Sequence, residues 1–314
     1  MDKRHNAAQA GHFETHGWVL IEGLLNPAEI EAALPGLFEL YPTPEQFHAG
    51  GDARSAPFRD GAEAPANAGR EGRFRPLQFA GLMEFPFADQ TLNLLALHPA
   101  IVAVAEDLLQ TRDVRLYQAE TFAKYTGVTQ YDQPFHADYT NHIMLPPRGR
   151  YRQVQMFLYL SDVTVAHGTT RVVSRTLTAD VPLMKLSFPR ARVSDERHAE
   201  WERAAVSAAG PRGSLLVYGA DVLHRGTEMS LAGGGRFFFN LAYRAAGADW
   251  IGGNPWPRKG IANWTPLVER CSVRQLEALG FPPPGHDYWT EETLQGCAER
   301  YPNLDLTPWR ARLP

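Results

Sequence analysis

The chain has 314 residues, of which 44% are hydrophobic and 21% charged, and its formal net charge is −4. This balance is typical of a globular protein that buries a sizeable core. With 31 basic and 35 acidic residues and no long run of one sign, the sequence excludes the concentrated basic face that a nucleic-acid-binding protein needs. No run of consecutive apolar residues approaches the ~20 that span a membrane, so we expect a small-molecule partner and no membrane.

The cysteines and the N-terminus bear on the compartment. Cys271 and Cys297 are the only cysteines, and their spacing fits no zinc site, so we expect free thiols in a reducing environment. The N-terminus leads into a polar helix and not into an apolar signal segment. These features predict a cytoplasmic protein.

The first third of the chain, residues 1–113, has mainly helical patterns. A short helix over 7–16 and a strand at Trp18–Ile21 precede a helix that begins after Asn26, which can cap it, and runs to about Glu39. Residues 43–75 lose hydrophobic periodicity and are rich in Gly, Ala, Pro, Asp and Arg, which predicts a flexible loop. Helical patterning returns from Asp89 and is clearest after Pro99.

From residue 114 to about 245 the dominant pattern is that of β-strands. Short runs of branched and aromatic residues are separated by Gly and Pro, with one polar helical insert near Asp195–Ala208; the runs are Val114–Tyr125, Arg152–Leu160, Thr170–Val173, Ser214–Tyr218 and Arg236–Tyr243. Such spacing is typical of a sandwich or jelly roll in which two sheets enclose a pocket. The fold class is therefore mainly β with flanking helices.

The remaining residues, 250–314, form a tail rich in Trp and Pro. Helices are predicted near Pro266–Leu279 and Glu291–Arg300, and we expect this extension to wrap the core. The whole chain, 1–314, is interpreted as one domain with its β core over about 114–245.

A histidine and a carboxylate stand two residues apart at His136 and Asp138. In an extended segment residues i and i+2 point to one face, so both side chains can meet one metal ion. His224 follows the predicted strand Ser214–Tyr218 and supplies a second imidazole. Two histidines and one carboxylate that leave other positions open suit an iron(II) site that activates O2.

Arg236 begins the run after His224 and can bind a carboxylate through two parallel hydrogen bonds. A co-substrate such as 2-oxoglutarate would present its keto acid to the metal and its distal carboxylate to this arginine. Each residue alone has an ordinary explanation: a surface His–Asp pair, a hydrogen-bonded core histidine, or a structural ion pair. The four together, in this order within a β-rich region, favour the metal site.

The chain resembles the phytanoyl-CoA dioxygenase family of Fe(II)/2-oxoglutarate-dependent oxygenases. The resemblance rests on segments in family order over most of residues 10 to 245; they are Phe13–Leu25, His136–Asp138, Leu158–Thr164, Gly168–Val173, Gly213–Tyr218, Leu223–Arg225 and Arg236. It implies a double-stranded β-helix (jelly-roll, cupin-like) core.

The resemblance also implies site roles. His136, Asp138 and His224 match the iron ligands, and Arg236 matches the arginine that binds 2-oxoglutarate. The family often has a small hydroxyl residue two positions after the distal histidine, whereas this chain has Gly226 followed by Thr227, so Thr227 is a candidate for that contact.

Further candidates are weaker. Gln118 and Lys124, on the strand before the motif, are candidate co-substrate contacts. The residues that follow the motif are candidate substrate contacts: Tyr139, Asn141, His142 and Met144.

The predicted enzyme is a dioxygenase that consumes O2 and 2-oxoglutarate and releases succinate and CO2. Its substrate is expected to be a small organic molecule, such as a secondary metabolite. The enzyme would hydroxylate this molecule at an unactivated C–H bond, or desaturate or cyclise it. The metal carboxylate Asp138 disfavours halogenation, because family halogenases have a small residue there. The alternative is a jelly-roll hydrolase or isomerase that holds another divalent metal in the same three-ligand site. The sequence does not indicate an oligomeric state.

Overall fold

Two antiparallel β-sheets form the centre of the protein in the computed structural model, which describes residues 2–60, 81–128, 132–138, 152–186, 190–247 and 261–313. The larger sheet has six strands in the order β1-β7-β4-β9-β3-β2, and the smaller has three in the order β6-β5-β8. The strands are β1 Trp18–Ile21, β2 Leu82–Glu84, β3 Val114–Tyr125, β4 Gln153–Tyr159, β5 Thr170–Val172, β6 Val206–Ser207, β7 Leu215–Gly219, β8 His224–Gly226 and β9 Gly235–Ala245.

Helices precede, interrupt and follow the strands. The described α-helices are α1 Ala7–His16, α2 Pro27–Glu31, α3 Leu34–Leu40, α4 Pro44–Ala49, α5 Ala56–Asp60, α6 Gln90–Ala96, α7 Pro99–Leu108, α8 Leu183–Leu186, α9 Asp195–Ala204, α10 Ile261–Val268, α11 Val273–Ala278, α12 Glu291–Arg300 and α13 Thr307–Arg310. Short 3-10 helices lie at Ala53–Ser55, Val165–His167 and Arg175–Leu177.

The helix predicted after Asn26 is present but divided. Asn26 and Glu29 form the reciprocal hydrogen bonds of a capping box at the start of α2. Helix α2 ends at Glu31, and a new helix, α3, starts at Leu34. Pro35 explains the break, because it has no N–H to donate and its ring would clash with the preceding turn.

The prediction of a loop over residues 43–75 is wrong for the first part of this range, because residues 44–60 are largely helical. Thr43 caps α4 and forms a capping box with Gln46, a local signal that the composition of the segment obscured. Phe47 and Phe58 are buried and contact the Tyr125 ring, so these helices are held by aromatic packing. The rest of the predicted loop, 61–75, lies outside the described residues.

The two faces of the larger sheet pack differently. On one face, side chains such as Met156, Val217 and Leu241 join the main core beneath the helices. On the other face, Leu216 and Phe238 pack with residues of the smaller sheet. This second, inner face also carries the polar residues described below, so the interior between the sheets is where a site can form.

One apolar stretch, Gln90–Leu108, has the length and composition of a membrane span. It comprises α6 and α7, and 67% of its apolar window is buried within the protein. Burial of this kind is what a core helix pair of a globular domain shows.

The C-terminal extension packs on the helical side of the core. The indole N–H groups of Trp289 and Trp309 both donate to the carbonyl of Pro282, at 2.9 and 3.0 Å, and both rings are buried. Arg274 of α11 forms an ion pair with Glu106 of α7 at 2.6 Å. The helix predicted near Pro266–Leu279 is two helices: α10, which begins at Ile261 and contains Pro266, and α11, which Ser272 caps.

Candidate metal centre

His136, Asp138 and His224 meet between the two sheets. One ligand atom from each lies within 4.8 Å of the others, close enough for all three to hold one metal ion. His136 Nε2 lies 3.8 Å from Asp138 Oδ1, and His224 Nε2 lies 3.6 Å from Asp138 Oδ2. The structure therefore brings together the three residues that the sequence predicted as ligands.

Main-chain hydrogen bonds fix the two segments that carry these side chains. His136 and His224 exchange both N–H···O=C bonds, at 3.0 and 2.9 Å, as a directly opposed antiparallel pair. Ala137 N donates to the Leu186 carbonyl at 2.7 Å, which holds the first segment from its other side. The paired histidines stay adjacent because their own backbones form the contact between the segments.

Each imidazole is oriented by a carbonyl two residues before it. His136 Nδ1 lies 2.8 Å from the Pro134 carbonyl oxygen and His224 Nδ1 lies 3.1 Å from that of Val222. A ring that donates from Nδ1 presents the lone pair of Nε2, so both histidines offer Nε2 towards Asp138. Two neutral imidazole nitrogens and one carboxylate make a donor set that fits iron(II).

Electrostatics keep His136 in the ligand-competent form. Burial, with a smaller contribution from neighbouring His224, lowers the pKa of His136 to about 4, although Asp138 opposes the shift. A neutral imidazole is what a metal ion requires. His136 is therefore ready to bind a metal at neutral pH without first losing a proton.

Tyr218 contacts the same carboxylate and was not predicted. Its hydroxyl donates to Asp138 Oδ2 at 3.3 Å, and its ring centroid lies 4.6 Å from that of His224. Burial, followed by the nearby Asp138 charge, raises the pKa of Tyr218 well above its usual value, so the hydroxyl keeps its proton. Tyr218 thus orients Asp138 while remaining a hydrogen-bond donor.

Two basic side chains face each other further along the inner face. Lys124 of β3 and Arg236 of β9 are a register pair, and they are only 6% and 5% exposed. Arg236 Nη1 donates to the His167 carbonyl at 3.4 Å, and its guanidinium lies 4.4 Å from the Phe238 ring centroid. Burial, followed by the charge of Arg236, lowers the pKa of Lys124 well below its usual value. An anion between the two side chains would favour their charged forms, so the pair suits the binding of an anion.

The other predicted contacts have different surroundings. The Thr227 hydroxyl donates to the Thr169 carbonyl at 2.8 Å, and the Thr227 main-chain N–H donates to the same carbonyl. Gln118 lies on the inner face with Lys124 but six residues earlier on β3, and its amide donates to Glu120. The predicted substrate contacts lie outside the described residues; they are Tyr139, Asn141, His142 and Met144.

Gln133 is a second residue near the site for which the sequence analysis predicted no role. Its side-chain oxygen accepts a hydrogen bond from the Gly226 N–H at 2.6 Å. The signal for it is Pro134, which cannot donate to the facing strand and so leaves a gap in the ladder. The signal for Tyr218 is its position at the end of β7, on the same face as Leu216.

Comparison with known proteins decides the family. The family model described as "Phytanoyl-CoA dioxygenase (PhyH)" matches residues 13–230, more than half of the chain. The chain belongs to the phytanoyl-CoA dioxygenase family. The match includes His136, Asp138 and His224 and ends before Arg236. Membership confirms the prediction of a non-haem iron enzyme that uses 2-oxoglutarate, and the three-residue cluster supplies a matching metal site.

Solved structures of low sequence identity share the fold. EctD from S. alaskensis, solved with 2-oxoglutarate and 5-hydroxyectoine, is 18% identical with a TM-score of 0.53, and the match covers 78% of this chain and 77% of the EctD chain. The 2-oxoglutarate-dependent carbocyclase SnoK from nogalamycin biosynthesis is 15% identical with a TM-score of 0.50, covering 77% and 85%. These similarities confirm the predicted jelly-roll core. No curated protein sequence matches the chain significantly.

Proposed function

We propose that this protein is an Fe(II)/2-oxoglutarate-dependent dioxygenase that oxidises an unactivated C–H bond of a small organic molecule and releases succinate and CO2. The observation that carries the proposal is that one interior holds both the His136, Asp138 and His224 cluster and the basic pair Lys124 and Arg236. A metal centre and a carboxylate site are the two elements that a 2-oxoglutarate enzyme must combine.

His136 and His224 would hold iron through Nε2, and Asp138 would hold it through its carboxylate. Iron bound there supplies O2 activation coupled to decarboxylation of 2-oxoglutarate, the chemistry that cleaves a C–H bond. The protein's own contribution is positional: the carbonyls of Pro134 and Val222 orient the imidazoles, and Tyr218 orients Asp138.

The distal carboxylate of 2-oxoglutarate is assigned to Arg236 and Lys124. Arg236 can bind a carboxylate through two parallel hydrogen bonds, and Lys124 adds a second buried basic group on the facing strand. We assign no carboxylate contact to Thr227, because its hydroxyl is directed to the Thr169 carbonyl. We assign none to Gln118 either, because it lies six residues before Lys124 on β3.

We further propose that the substrate is a small polar molecule. Polar side chains continue along the inner face beside Tyr218: Gln155 is its register partner on β4, and Glu120 pairs with Asn240 on the neighbouring strands. Such groups would hydrogen-bond an oxygen- or nitrogen-bearing substrate, as a secondary metabolite usually is. Tyr139, Asn141, His142 and Met144 remain candidate contacts, since they follow Asp138 directly.

Metal analysis of matched variants tests the proposal. After anaerobic reconstitution, wild-type protein should hold one equivalent of Fe(II), and Asp138→Ala should hold little. Asp180→Ala removes an exposed carboxylate that pairs with Arg197, and it should bind iron normally. Succinate release should follow the iron content in a substrate screen. Tightly bound zinc with no turnover of 2-oxoglutarate would overturn the proposal in favour of a hydrolase or isomerase. Undiminished turnover in Asp138→Ala would overturn the assignment of Asp138 as a metal ligand.

A further inference from the structure

The two ligand-bearing segments are joined in an unusual way one step beyond the histidine pair. His136 and His224 form a hydrogen-bonded antiparallel pair, so the next hydrogen-bonded pair of a regular ladder would be Pro134 and Gly226. Pro134 has no N–H, and its carbonyl accepts from His136 Nδ1. Gln133 takes over both roles: its main-chain N–H donates to the Gly226 carbonyl at 2.9 Å, and its side-chain oxygen accepts from Gly226 N–H at 2.6 Å.

The Gln133 side chain lies where a side chain at position 226 would begin. Gly226 shares a face of β8 with His224, two residues earlier, so a side chain at 226 would point into the interior. A Cβ at this position would lie 2.9 Å from Gln133 Oε1 and 3.6 Å from Lys124 Nζ, so the end of the Gln133 side chain would have to shift and weaken its hydrogen bond with the Gly226 N–H. The Gln133 amide therefore occupies the room that a side chain on β8 would need.

The same point of the interior borders the basic pair Lys124 and Arg236. Lys124 Nζ approaches the bare face of Gly226, and Lys124 is the register partner of Arg236. A side chain at 226 would therefore lie beside an anion bound by these two residues. With glycine there, β8 contributes no side chain to that anion.

We infer that Gln133 is a positioning residue of the 2-oxoglutarate pocket, matched to Gly226: its amide fills the space of a missing β8 side chain, so that Lys124 and Arg236 bind the distal carboxylate without a hydroxyl from that strand. The inference rests on the proposed function. It adds that positions 133 and 226 are coupled, so that a hydroxyl at 226 fits only when Gln133 is shortened.

A double-mutant cycle tests this coupling through the 2-oxoglutarate dissociation constant, read from the visible charge-transfer band of the anaerobic Fe(II) protein. Gly226→Ser should weaken binding about tenfold or more, because the new side chain collides with Gln133. Gln133→Ala should weaken 2-oxoglutarate binding about threefold, because it leaves the Gly226 N–H without its hydrogen-bond acceptor. The double variant should bind 2-oxoglutarate at least about threefold more tightly than Gly226→Ser, since the serine hydroxyl then has room to donate to the carboxylate.

Controls separate this role from a general loss of structure. Fe(II) affinity and thermal stability are measured on each variant, and the 2-oxoglutarate effect should exceed any change in iron binding. Gly11→Ser is the matched control, because a Cβ at Gly11 meets nothing within 4 Å, and it should leave 2-oxoglutarate binding unchanged.

The outcomes are distinguishable. Wild-type protein that loads iron but shows no band would overturn the proposed function, and this inference with it. A wild-type band with additive effects in the cycle, or with Gly226→Ser or Gln133→Ala binding as tightly as wild type, would overturn the inference alone. If Gly226→Ser fails to fold, recovery of folding and binding in the double variant supports the coupling, and failure of both contradicts it.

Discussion

The hydroxyl of Tyr218 donates a hydrogen bond to the carboxylate of Asp138, 80 positions earlier in the chain, at 3.3 Å. Asp138 is the one metal-ligand candidate whose side chain is partly exposed, at 23%, whereas both histidines are almost fully buried. The tyrosine therefore limits the ligand that has the most freedom to turn away. Groups that orient metal ligands in this way commonly affect metal affinity.

Removing this hydroxyl should weaken iron binding while leaving the fold intact. Tyr218→Phe keeps the ring contact with His224 and deletes only the hydrogen bond to Asp138. We expect the Fe(II) dissociation constant to rise about tenfold. Competition with a chromogenic chelator measures it, and thermal unfolding of the iron-free protein should change little. Iron affinity equal to that of wild type would show that Tyr218 does not orient the ligand.

An ion pair near the N-terminus should stabilise the folded protein at neutral pH and lose this effect in acid. Arg4 binds both carboxylate oxygens of Glu29, at 2.7 and 2.8 Å, and this contact is the main reason that the pKa of Glu29 is lowered from 4.5 to about 2. Because the carboxyl is more acidic in the folded state, its stabilisation is complete above the unfolded pKa and is lost as pH falls towards 2.

Glu29→Gln should lower the free energy of unfolding by about 1 kcal/mol at neutral pH. The difference from wild type should shrink between pH 4.5 and 2. Urea unfolding at about pH 7 and about pH 3 measures both values. A difference that is the same at both pH values would show that the lost stability does not come from the charged carboxylate.

The turn before β7 should tolerate no side chain. Gly213 has φ +85°, and a Cβ there would lie 2.1 Å from the Leu25 carbonyl oxygen. The main-chain N–H of Leu25 donates a hydrogen bond to the Gly213 carbonyl, so the two backbones are held close together. Gly213→Ala should cost about 2 kcal/mol or more of stability, from strain and collision together. Gly11→Ala, in the exposed middle of α1, should instead stabilise slightly, by about 0.5 kcal/mol. Equal unfolding midpoints for the two variants would contradict this account.

The helices between residues 44 and 60 should be part of the stable core. The Phe47 ring stacks on Tyr125 with centroids 3.9 Å apart and planes 7° apart. Phe47→Ala should reduce the free energy of unfolding by about 3 kcal/mol, as large-to-small changes in cores do. Val206→Ala, which trims a side chain that is 48% exposed, is the control and should have little effect. A Phe47→Ala protein of unchanged stability would indicate that α4 is not tightly packed.

The sequence was sufficient for the features that depend on local geometry. His136 and Asp138 could be placed on one face because an extended chain alternates its side chains, and the strands Val114–Tyr125 and Thr170–Val172 follow from their own branched and aromatic residues. The Asn26 capping box could likewise be read from a four-residue pattern.

The features that the sequence did not reveal depend on register between distant strands. Tyr218 meets Asp138 and Lys124 meets Arg236 only because particular strands are neighbours in a particular alignment, which no local pattern encodes. Strand β8 is three residues long and exists through its pairing with β5 and with His136. The α4 cap is a different case, because the Thr43–Gln46 signal was present and composition outweighed it.

Binding of 2-oxoglutarate to the iron site can be measured directly by anaerobic titration of the Fe(II)-loaded protein, followed by visible absorption. We expect a weak charge-transfer band that saturates with one equivalent bound and is absent without iron. Arg236→Ala should need much more 2-oxoglutarate to reach the same band, because the distal carboxylate loses its guanidinium. Folded, iron-loaded wild-type protein that shows no band would show that 2-oxoglutarate does not bind at this metal centre.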